Sequence, residues 1–312
     1  MNSHTVMRKF SIIAIALWAV AACSKEEPAV PTGAHEIRIA AEIGQTENPS
    51  AKAQCLTRAT ETAFATGDQI GLRVEYASAL VGHRNACLTH NGRIFTGRRI
   101  MWNETEGDAV LSAYYPYDAK NADVPTTFAV PQNQRTDAAF ASADFLAAYR
   151  SVAVEEFAEP VQLQFRHVLS KVIINMTDET EAKNVVIDHL RIKEFNRSVV
   201  IDYAKREATM NPDAMLAPAN ITSHRIENLK HEVILAPQKA EAMMIEIYTP
   251  SNEGVALRYT KRAKNVELKS GFRYKLNITL RDGEGEEVIE FDTVVAEVKP
   301  WDENESELEG QV

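Results

Sequence analysis

The chain has 312 residues, of which 45% are hydrophobic and 25% charged, a composition typical of globular proteins with a buried apolar core. Its 44 acidic residues exceed its 34 basic residues, which gives a formal net charge of −10. This balance argues against nucleic-acid binding, because the sequence has no basic stripe that would neutralise phosphates.

The first 22 residues have the features of a secretory signal. A basic pair at residues 8–9 precedes the apolar run 11–22, which is too short for a bilayer that requires about 20 residues. The run ends in "VAAC", small residues before Cys23 that resemble a bacterial lipobox. We therefore expect a lipoprotein signal over residues 1–22 and acylation of Cys23; a signal with a chance cysteine is the alternative.

The residues after Cys23 suit a lipid-anchored tether. Cleavage before Cys23 leaves 32 basic and 44 acidic residues, a net charge of −12. Residues 24–27, "SKEE", resemble the lysine-plus-acids signal that sends lipoproteins of the Bacteroidota to the outer face of the outer membrane. Prolines and a glycine within 23–34 predict a flexible tether. We expect a cell-surface lipoprotein of the outer membrane, because several acyl chains on one residue give stable anchoring.

Alternating hydrophobicity predicts β-strands along most of the mature chain. In "HEIRIAAEI", residues 35–43, a period of two places Ile37, Ile39 and Ile43 on one face. Further strands are predicted at 69–77, 110–115, 163–177, 185–193, 231–236, 243–249 and 255–261.

The last two strands are predicted to form a hairpin. In "FRYKLNITL", residues 272–280, the apolar side chains alternate with polar ones. The polar residues are predicted to face water: Arg273, Lys275 and Asn277. "RDGEGEE" supplies the turn, and "EVIEFDTVV", residues 287–295, resumes the alternation.

Helical periodicity is scarce, and only residues 137–149 predict a short helix or a loop. The fold class is therefore all-β, mainly antiparallel and of the sandwich type. A loop-rich stretch before Pro160 predicts a domain boundary there. We expect an N-terminal domain over 35–160, a C-terminal domain over 161–301 and an acidic tail at 302–312.

No catalytic, cofactor-binding or metal-binding motif stands out. His167 and Ser170 lie inside an apolar strand pattern without a Gly-rich elbow, so a packed histidine is the preferred interpretation. Tyr114, Tyr115 and Tyr117 in "SAYYPY" indicate core and strand-end packing, with a sugar-stacking platform as the alternative. The absence of such motifs from the sequence favours a structural or binding protein without a cofactor. A hydrolase on a β-sandwich is a competing hypothesis.

Seven features follow one another in an order known from a protein family. They are "TRATETAFATGDQIGL" (57–72), "LSAYYPY" (111–117), "SADFLAAY" (142–149), "LQFRHVLSKVIINM" (163–176), "VILAPQ" (233–238), "LKSGFRYKLNITL" (268–280) and Trp301. Together they resemble the fimbrillin family, the lipoprotein-derived type V pilins of the Bacteroidota. The resemblance covers nearly the whole mature chain.

This resemblance implies two tandem transthyretin-like antiparallel β-sandwich domains and a structural subunit of a cell-surface fimbria that supports adhesion. In the family, an arginine- or lysine-specific protease removes the N-terminal strand together with its lipid. The groove left behind accepts a strand from a neighbouring subunit, a form of β-augmentation. The implied partners are other fimbrial subunits, the outer membrane through Cys23, and host proteins or glycans.

The family scheme can be placed on residues of this chain. Arg58 matches the arginine of the first family stretch and is the predicted processing site; an unprocessed loop arginine is the alternative. Cleavage there would remove residues 35–58 and release the strand that carries Ile37, Ile39 and Ile43. The donor strand is predicted at 287–298, with these pocket-filling residues: Ile289, Phe291 and Val295. The competing hypothesis is a surface glycan-binding lipoprotein that is not incorporated into fimbriae.

Two cysteines lie beyond Cys23, namely Cys55 and Cys87, and in an exported chain they could pair or remain free. A bridge between them would hold the released strand on the subunit, because Cys55 precedes Arg58 and Cys87 follows it. Such a subunit would keep its strand and serve as a membrane anchor or cap.

Overall fold

The structure is a computed structural model that describes residues 35–44, 63–181, 183–214, 217–250, 257–282 and 289–301. Of the strand side chains, those of 98–99, 240–242, 257–266 and 289–300 are outside the description. The described residues form nineteen strands, one α-helix and two 3₁₀ turns, which confirms the all-β fold class. Among these residues no helix is long and apolar enough to cross a membrane.

Seven strands of the N-terminal region close on themselves as a barrel. They are β1 (Glu36–Ile43), β2 (Gln69–Tyr76), β3 (Val81–His90), β4 (Phe95–Met101), β5 (Ala109–Tyr115), β7 (Leu146–Val152) and β8 (Val161–His167). The order around the barrel is β1, β4, β3, β2, β5, β7, β8. Neighbours are antiparallel except β1 and β8, which run parallel.

The barrel encloses an apolar core. Its fully buried side chains come from alternate positions of the strands, because successive residues of a strand point to opposite faces. Among them are Ile37, Ile39, Ile43, Ile70, Leu72, Val74, Leu88, Phe95, Leu111 and Phe165. In the same core, Trp102 stacks on Phe157 with ring centroids 4.0 Å apart.

The other twelve strands form three sheets. They are β6 (Thr127–Ala129), β9 (Ser170–Asp178), β10 (His189–Phe195), β11 (Ser198–Asp202), β12 (Glu207–Met210), β13 (Ala219–Thr222), β14 (His224–Glu227), β15 (Lys230–Leu235), β16 (Gln238–Thr249), β17 (Leu257–Leu268), β18 (Phe272–Asp282) and β19 (Ile289–Pro300). The sheet orders are β14-β15-β9-β18-β19, β13-β10-β16-β17 and β12-β11-β6. The helix α1 spans Asp137–Ala143, and the 3₁₀ turns span Glu104–Glu106 and Val154–Glu156.

These sheets enclose a second core, separated from the first by a wall of the barrel. Its buried members include Val168, Val172, Ile174, Leu190, Ile192, Val233, Ile245, Leu276, Ile278 and Trp301. Strands β5 and β7 contribute to both cores. Tyr114 and Ala147 belong to the second core, whereas the next residues, Tyr115 and Ala148, belong to the barrel core.

The predicted domain boundary near Pro160 coincides with this division only in part. Val124, Val130 and Phe145 precede Pro160 but pack in the second core. Strand β6 likewise pairs with β11, on the other side of Pro160. The division into two domains stays a prediction, and so does their tandem transthyretin-like arrangement.

Three details of the predicted strands are wrong. The strand predicted at 185–193 begins only at His189, where β10 starts. The run 163–177, predicted as one strand, is divided into β8 and β9, because Val168 and Leu169 between them turn into the second core. Arg273, predicted to face water, is buried. The reason is that β18 lies between β9 and β19, and near its start both faces are covered, so that Tyr274 is buried as well.

Other expectations are met. Strands β18 and β19 form the predicted antiparallel hairpin ladder, from Phe272 paired with Pro300 to Asp282 paired with Ile289. The prediction of a short helix or a loop at 137–149 is met only in part, because the segment is helical over Asp137–Ala143 and its last residues belong to strand β7. Thr136 caps α1, since its Oγ1 accepts a hydrogen bond from the Ala139 amide at 3.2 Å.

Candidate functional site: strand β1 and its groove

Strand β1 closes the barrel between two strands that are distant in sequence. On one side it pairs antiparallel with β4, where Ile39 lies opposite Phe95. On the other side it pairs parallel with β8, where Ile39 lies opposite Val161 and Ile43 lies opposite Phe165. Without β1, the facing edges of β4 and β8 would present unpaired backbone groups and an opening into the barrel core.

The inward face of β1 fills that opening with isoleucines. Ile37 and Ile39 are 0% exposed and Ile43 is 1% exposed. Burying an isoleucine side chain contributes about 1.5–3 kcal/mol, so the three together stabilise the closed barrel by about 5–9 kcal/mol. The predicted face of this strand is therefore the one that contacts the core.

Polar contacts fix β1 at both ends. At the start, the His35 carbonyl oxygen accepts a hydrogen bond from the Trp102 amide at 2.8 Å. At the end, the Gly44 amide donates to the Phe165 carbonyl oxygen at 3.0 Å. Along the strand, the Arg38 guanidinium donates to the Ala158 carbonyl oxygen. These contacts set the register of β1 against both neighbours.

An aromatic cluster lies where the described chain resumes after β1. Phe64 is at its centre, with edge-to-face contacts to Phe95, Tyr115 and Phe165 at centroid distances of 5.0 Å, 5.6 Å and 5.2 Å. Such contacts are worth about 0.5–1.5 kcal/mol each beyond the area that they bury. Phe64 is therefore fixed to the barrel through residues of β4, β5 and β8.

The turn after Phe64 explains the "GDQ" of the first family stretch. Gly67 has a φ of +95°, which favours glycine, and its amide donates to the His90 carbonyl oxygen at 2.8 Å. The Asp68 carboxylate accepts hydrogen bonds from the Ala65 amide at 2.7 Å and from the Tyr115 hydroxyl at 3.3 Å. The sequence feature is thus a turn that seats Phe64 in the core.

Three predicted site residues, Cys23, Arg58 and Cys55, lie outside the described residues. Cys87 is half-buried and has no disulfide partner among the described residues, and burial raises the pKa of its thiol. A raised pKa lowers the thiolate population and slows disulfide formation. Its pairing with Cys55 stays a prediction.

The predicted donor strand coincides with β19, which lies at the end of the five-stranded sheet. The side chains proposed to fill pockets, those of Ile289, Phe291 and Val295, are outside the described part of the chain. Their role as donor residues stays a prediction.

The residues considered for chemistry serve packing. His167 is buried, its Nδ1 lies 2.8 Å from an Asp144 carboxylate oxygen, and its ring stacks on Trp301 at a centroid distance of 4.1 Å. The Ser170 hydroxyl donates to the Lys269 carbonyl oxygen at 2.9 Å. These contacts confirm the packed-histidine interpretation.

The tyrosines of "SAYYPY" form no sugar-stacking platform. Tyr114 and Tyr115 are buried on opposite faces of β5, and Tyr117 is half-buried against the second core. The alternative of a stacking surface is therefore wrong, because exposed ring faces are what such a surface requires.

Sequence reasoning missed β4 and did not predict β8 as a partner of β1. The segment "FTGRRIM" of β4 has no clear alternation, so it gave no strand signal. The pairing of β1 with β8 joins residues 122 positions apart, such as Ile39 and Val161, and leaves no local trace in the sequence. A weak signal was the apolar alternation in "VQLQF", which matches that of β1.

The fimbrillin-like family model matches residues 57–301. The chain belongs to the fimbrillin-like family. Its match begins just before Arg58 and ends at Trp301, so it does not include β1. This extent agrees with the family resemblance noted in the sequence.

A curated relative and three solved structures extend the comparison. The relative, "Putative fimbrium tip subunit Fim1C" of Bacteroides ovatus, is 24% identical over 194 residues, which are 56% of this chain and 36% of that protein. The chain thus spans about a third of the length of this relative. Each of the three structures is of a protein described as a "putative cell adhesion protein". The one from Bacteroides ovatus is 22% identical with a TM-score of 0.61, covering 85% of this chain and 97% of that one. The one from Bacteroides uniformis is 20% identical with a TM-score of 0.56 (85% and 99% covered), and the one from Bacteroides fragilis is 10% identical with a TM-score of 0.51 (83% and 98% covered). At these identities the structures support the fold alone.

Proposed function

We propose that this fimbrillin-like protein is a structural subunit of a cell-surface fimbria, that it is exported as a lipoprotein, and that it is assembled by protease-triggered donor-strand exchange. The observation that carries the proposal is the position of β1. One strand from the N-terminal end of the described chain closes the barrel, and it precedes both Arg58 and the first family stretch. The fimbrial name of the curated relative supports the same function.

The energetics of β1 explain why exchange, and not simple release, would follow cleavage. After a cut at Arg58 the strand would still be held by two backbone ladders and three buried isoleucines. Leaving the groove empty would forfeit about 5–9 kcal/mol of apolar burial. A strand from another subunit with similar apolar spacing offsets that loss, so the closed barrel is kept through the exchange.

The direction of assembly follows from where donor and acceptor lie. The acceptor groove is in the N-terminal barrel, and the proposed donor, β19, is at the end of the five-stranded sheet of the C-terminal region. A contact between two different surfaces of like subunits does not close on itself and propagates as a filament. The subunit contributes structure and adhesion to this filament without catalytic chemistry.

Whether the subunit polymerises or stays a membrane anchor depends on whether its barrel remains connected to the lipid on Cys23, either through an uncut chain or through a disulfide at Cys55. Cleavage at Arg58 would separate the outer-membrane anchor from the barrel. A Cys55–Cys87 bridge would keep them together and hold β1 near its groove. Mass spectrometry of surface-extracted protein, with and without reductant, distinguishes the two forms; a stalk subunit is expected to begin after Arg58 and to carry no acylated Cys23.

Peptide competition tests the exchange. The purified full chain is cleaved with trypsin in the presence of excess synthetic peptide 35–43; this peptide and its control both carry Arg38→Gln, so that trypsin cannot cut them. The peptide should occupy the groove and suppress polymers in proportion to its concentration. The matched control peptide carries Ile39→Asp and should not suppress them, because a carboxylate would enter the apolar core. Equal suppression by both peptides, or by neither, contradicts exchange at this groove.

A further inference from the structure

A second surface, unrelated to β1, has the features of a ligand site. It is an open groove of about 350 Å³ on the four-stranded sheet, between β10, β13 and the segment 132–135. The residues that line it are polar: Gln132, Asn133, Arg135, His189, Arg191, Asn220 and Thr222. We call it the arginine groove. A concave surface lined by polar groups and two guanidiniums differs from the apolar packing elsewhere in this region.

The segment on one side of the groove is held rigidly. Gln134 is fully buried and forms two hydrogen bonds with the backbone of Ile234, one from its amide nitrogen and one to its amide oxygen, both at 2.8 Å. The Thr222 amide donates to the Gln132 carbonyl oxygen at 2.7 Å, and the Gln134 amide donates to the Thr222 carbonyl oxygen at 3.0 Å. The walls are therefore fixed before any ligand binds, which reduces the entropic cost of binding.

Arg191 supplies the first positive charge. Its Nη1 donates to the Tyr248 hydroxyl at 3.1 Å, and its guanidinium lies 4.8 Å from the centre of the Tyr248 ring. Among the described residues, no carboxylate forms a salt bridge with Arg191. Since a guanidinium has five N–H donors in a planar fork, most of them are available to an anion.

The carboxylate opposite Arg191 in register has an ion pair with another residue. Glu246 lies opposite Arg191 in the β10–β16 ladder and is almost fully buried. It accepts a hydrogen bond from the Tyr248 hydroxyl at 2.7 Å and lies 3.2 Å from the Lys193 ammonium. Glu246 therefore interacts with Lys193 directly and with Arg191 through the Tyr248 hydroxyl, so it offsets the charge of Arg191 only in part.

Arg135 supplies the second positive charge on the opposite wall. It is about half exposed, and its Nη2 lies 3.1 Å from an Asp188 carboxylate oxygen. The pKa of Asp188 is lowered, first by a hydrogen bond from His189 and then by Arg135. Asp188 therefore neutralises part of the charge of Arg135, which makes Arg191 the stronger of the two anion-binding groups.

The histidine that lines the groove is buried and incompletely satisfied. His189 is 8% exposed, its Nδ1 lies 2.6 Å from Asp188, and its ring stacks on Tyr248 at 4.2 Å. Its Nε2 is buried without a hydrogen-bond partner in the described part of the chain. An unpaired buried polar atom costs about 1–3 kcal/mol, so a hydrogen-bonding ligand that reached Nε2 would remove that cost.

Neutral hydrogen-bonding groups surround the two arginines. The Asn133 Oδ1 accepts from the Arg135 amide at 3.1 Å, and the Asn220 Oδ1 accepts from the Glu194 amide at 3.2 Å. These bonds use the amide oxygens, so each Nδ2 is left to donate. Amide donors beside a guanidinium match a ligand that carries hydroxyl groups as well as a negative charge.

We propose that the arginine groove binds a sugar residue that bears a carboxylate. The carboxylate pairs with Arg191 and Arg135, and the ring hydroxyls accept hydrogen bonds from Asn133 and Asn220. A long polyanion such as nucleic acid does not fit this assignment, because two arginines in a single groove of an acidic chain provide no continuous basic stripe. The site would give the subunit an adhesive specificity of its own.

Calorimetric titration of the purified full chain tests the proposal with three probes: glucuronate, N-acetylneuraminate and glucose. At least one acidic sugar should bind, and glucose, which has the ring without the carboxylate, should bind at least about tenfold more weakly. Arg191→Gln should weaken acidic-sugar binding about tenfold or more, and Arg135→Gln about threefold, since Asp188 shares its charge. The matched control is Arg281→Gln, which removes the same group from β18 on another sheet and should leave binding unchanged.

The wild-type chain provides a second measurement that does not depend on the folding of any variant. In NMR titrations, the amide signals of Asn133, Arg191, Asn220 and Thr222 should shift with the acidic sugar. Absent binding, shifts confined to other surfaces, or equal affinity for glucose would overturn the proposal. Inorganic sulfate that binds as tightly as the sugars would also overturn it, because it would indicate a simple anion site. These results are independent of fimbrial assembly, since the unprocessed monomer is titrated.

Discussion

The N-terminal barrel and the C-terminal sheets differ in whether they have edge strands. In the barrel every strand has a neighbour on both sides, and closure depends on β1. The two larger C-terminal sheets end in β13 and β17, and in β14 and β19. A strand that closes a sheet leaves a defined groove when it is removed, whereas a strand at an end leaves one new edge. The comparison explains why we place strand exchange in the barrel and the donor in the C-terminal region.

The largest expected effect comes from a substitution that should unfold the N-terminal barrel and leave the C-terminal sheets folded. Ile39→Asp places a carboxylate in the barrel core and should cost about 4 kcal/mol or more. Each core contains one tryptophan, Trp102 in the barrel and Trp301 in the second core. With fluorine-labelled tryptophan, the ¹⁹F NMR signal of Trp102 should broaden or move while that of Trp301 is retained.

The matched control for this change lies on the same strand. Ala40→Asp introduces the same group at a partly exposed position and should leave both tryptophan signals unchanged. Simultaneous loss of both signals in Ile39→Asp would contradict independent unfolding of the two regions, because it would indicate one cooperative unit.

The next effect concerns a contact between the two regions. Gly71 belongs to β2 of the barrel, and a Cβ atom there would lie 2.1 Å from Cε1 of Tyr114, which packs in the second core. Gly71→Ala should therefore destabilise the protein by about 3 kcal/mol, measured by urea denaturation. In a Tyr114→Ala background the penalty should fall below about 1 kcal/mol, since the ring is gone and the other close atom, Oδ1 of Asn85 at 2.5 Å, is at the end of a flexible side chain. An unchanged penalty would show that the ring is not the obstacle.

A smaller effect should make the C-terminal region sensitive to pH. Burial lowers the pKa of His231 to about 4, below its unfolded value near 6.5. The unfolded chain therefore binds a proton that the folded chain does not, so stability is lost as pH falls from 6.5 towards 4. Between pH 7 and pH 5 the loss from this group should be about 2 kcal/mol. Urea denaturation of His231→Asn, in which the amide can replace the contact with Ser223, should show a correspondingly weaker decline.

The smallest expected effect is local to α1. Thr136→Ala removes the hydroxyl that caps this seven-residue helix and should cost about 1 kcal/mol by chemical denaturation. Thr136→Ser keeps a capping oxygen and should restore most of that stability. A cost shared equally by both variants would point to the lost methyl group instead of the cap.

The sequence predicted those strands whose burial alternates. The sequence predicts β1 because Ile37, Ile39 and Ile43 are separated by even numbers of positions and so lie on one face. It predicts β18 because its apolar residues alternate with polar ones over most of its length. Strand β3 was missed because only Leu88 of its ten residues is fully buried, so it has no apolar stripe. One-sided burial thus leaves a pattern in the sequence, and partial burial does not.

The inward face of β1 and the arginine groove also differ in how far the sequence predicts them. The inward face of β1 is local and could be predicted from nine consecutive residues, but its partners in β4 and β8 are set by pairing over long distances. The arginine groove joins Arg135 and Arg191, 56 positions apart, on a segment and a strand that meet only in the folded protein. No local signal marks such a site, because isolated arginines are common on surfaces.

The most direct test of the central claim is the composition of polymers made from the cleaved chain. The purified full chain and an Arg58→Gln variant are treated with a limited amount of an arginine-specific protease, because trypsin would also cut after Lys52, and heat-resistant ladders are analysed by mass spectrometry. We predict ladders for the wild type that lack residues 35–43, and monomers for the variant. Complete cleavage at Arg58 that yields only monomers, or ladders that retain residues 35–43 in every subunit, would contradict assembly by exchange of β1.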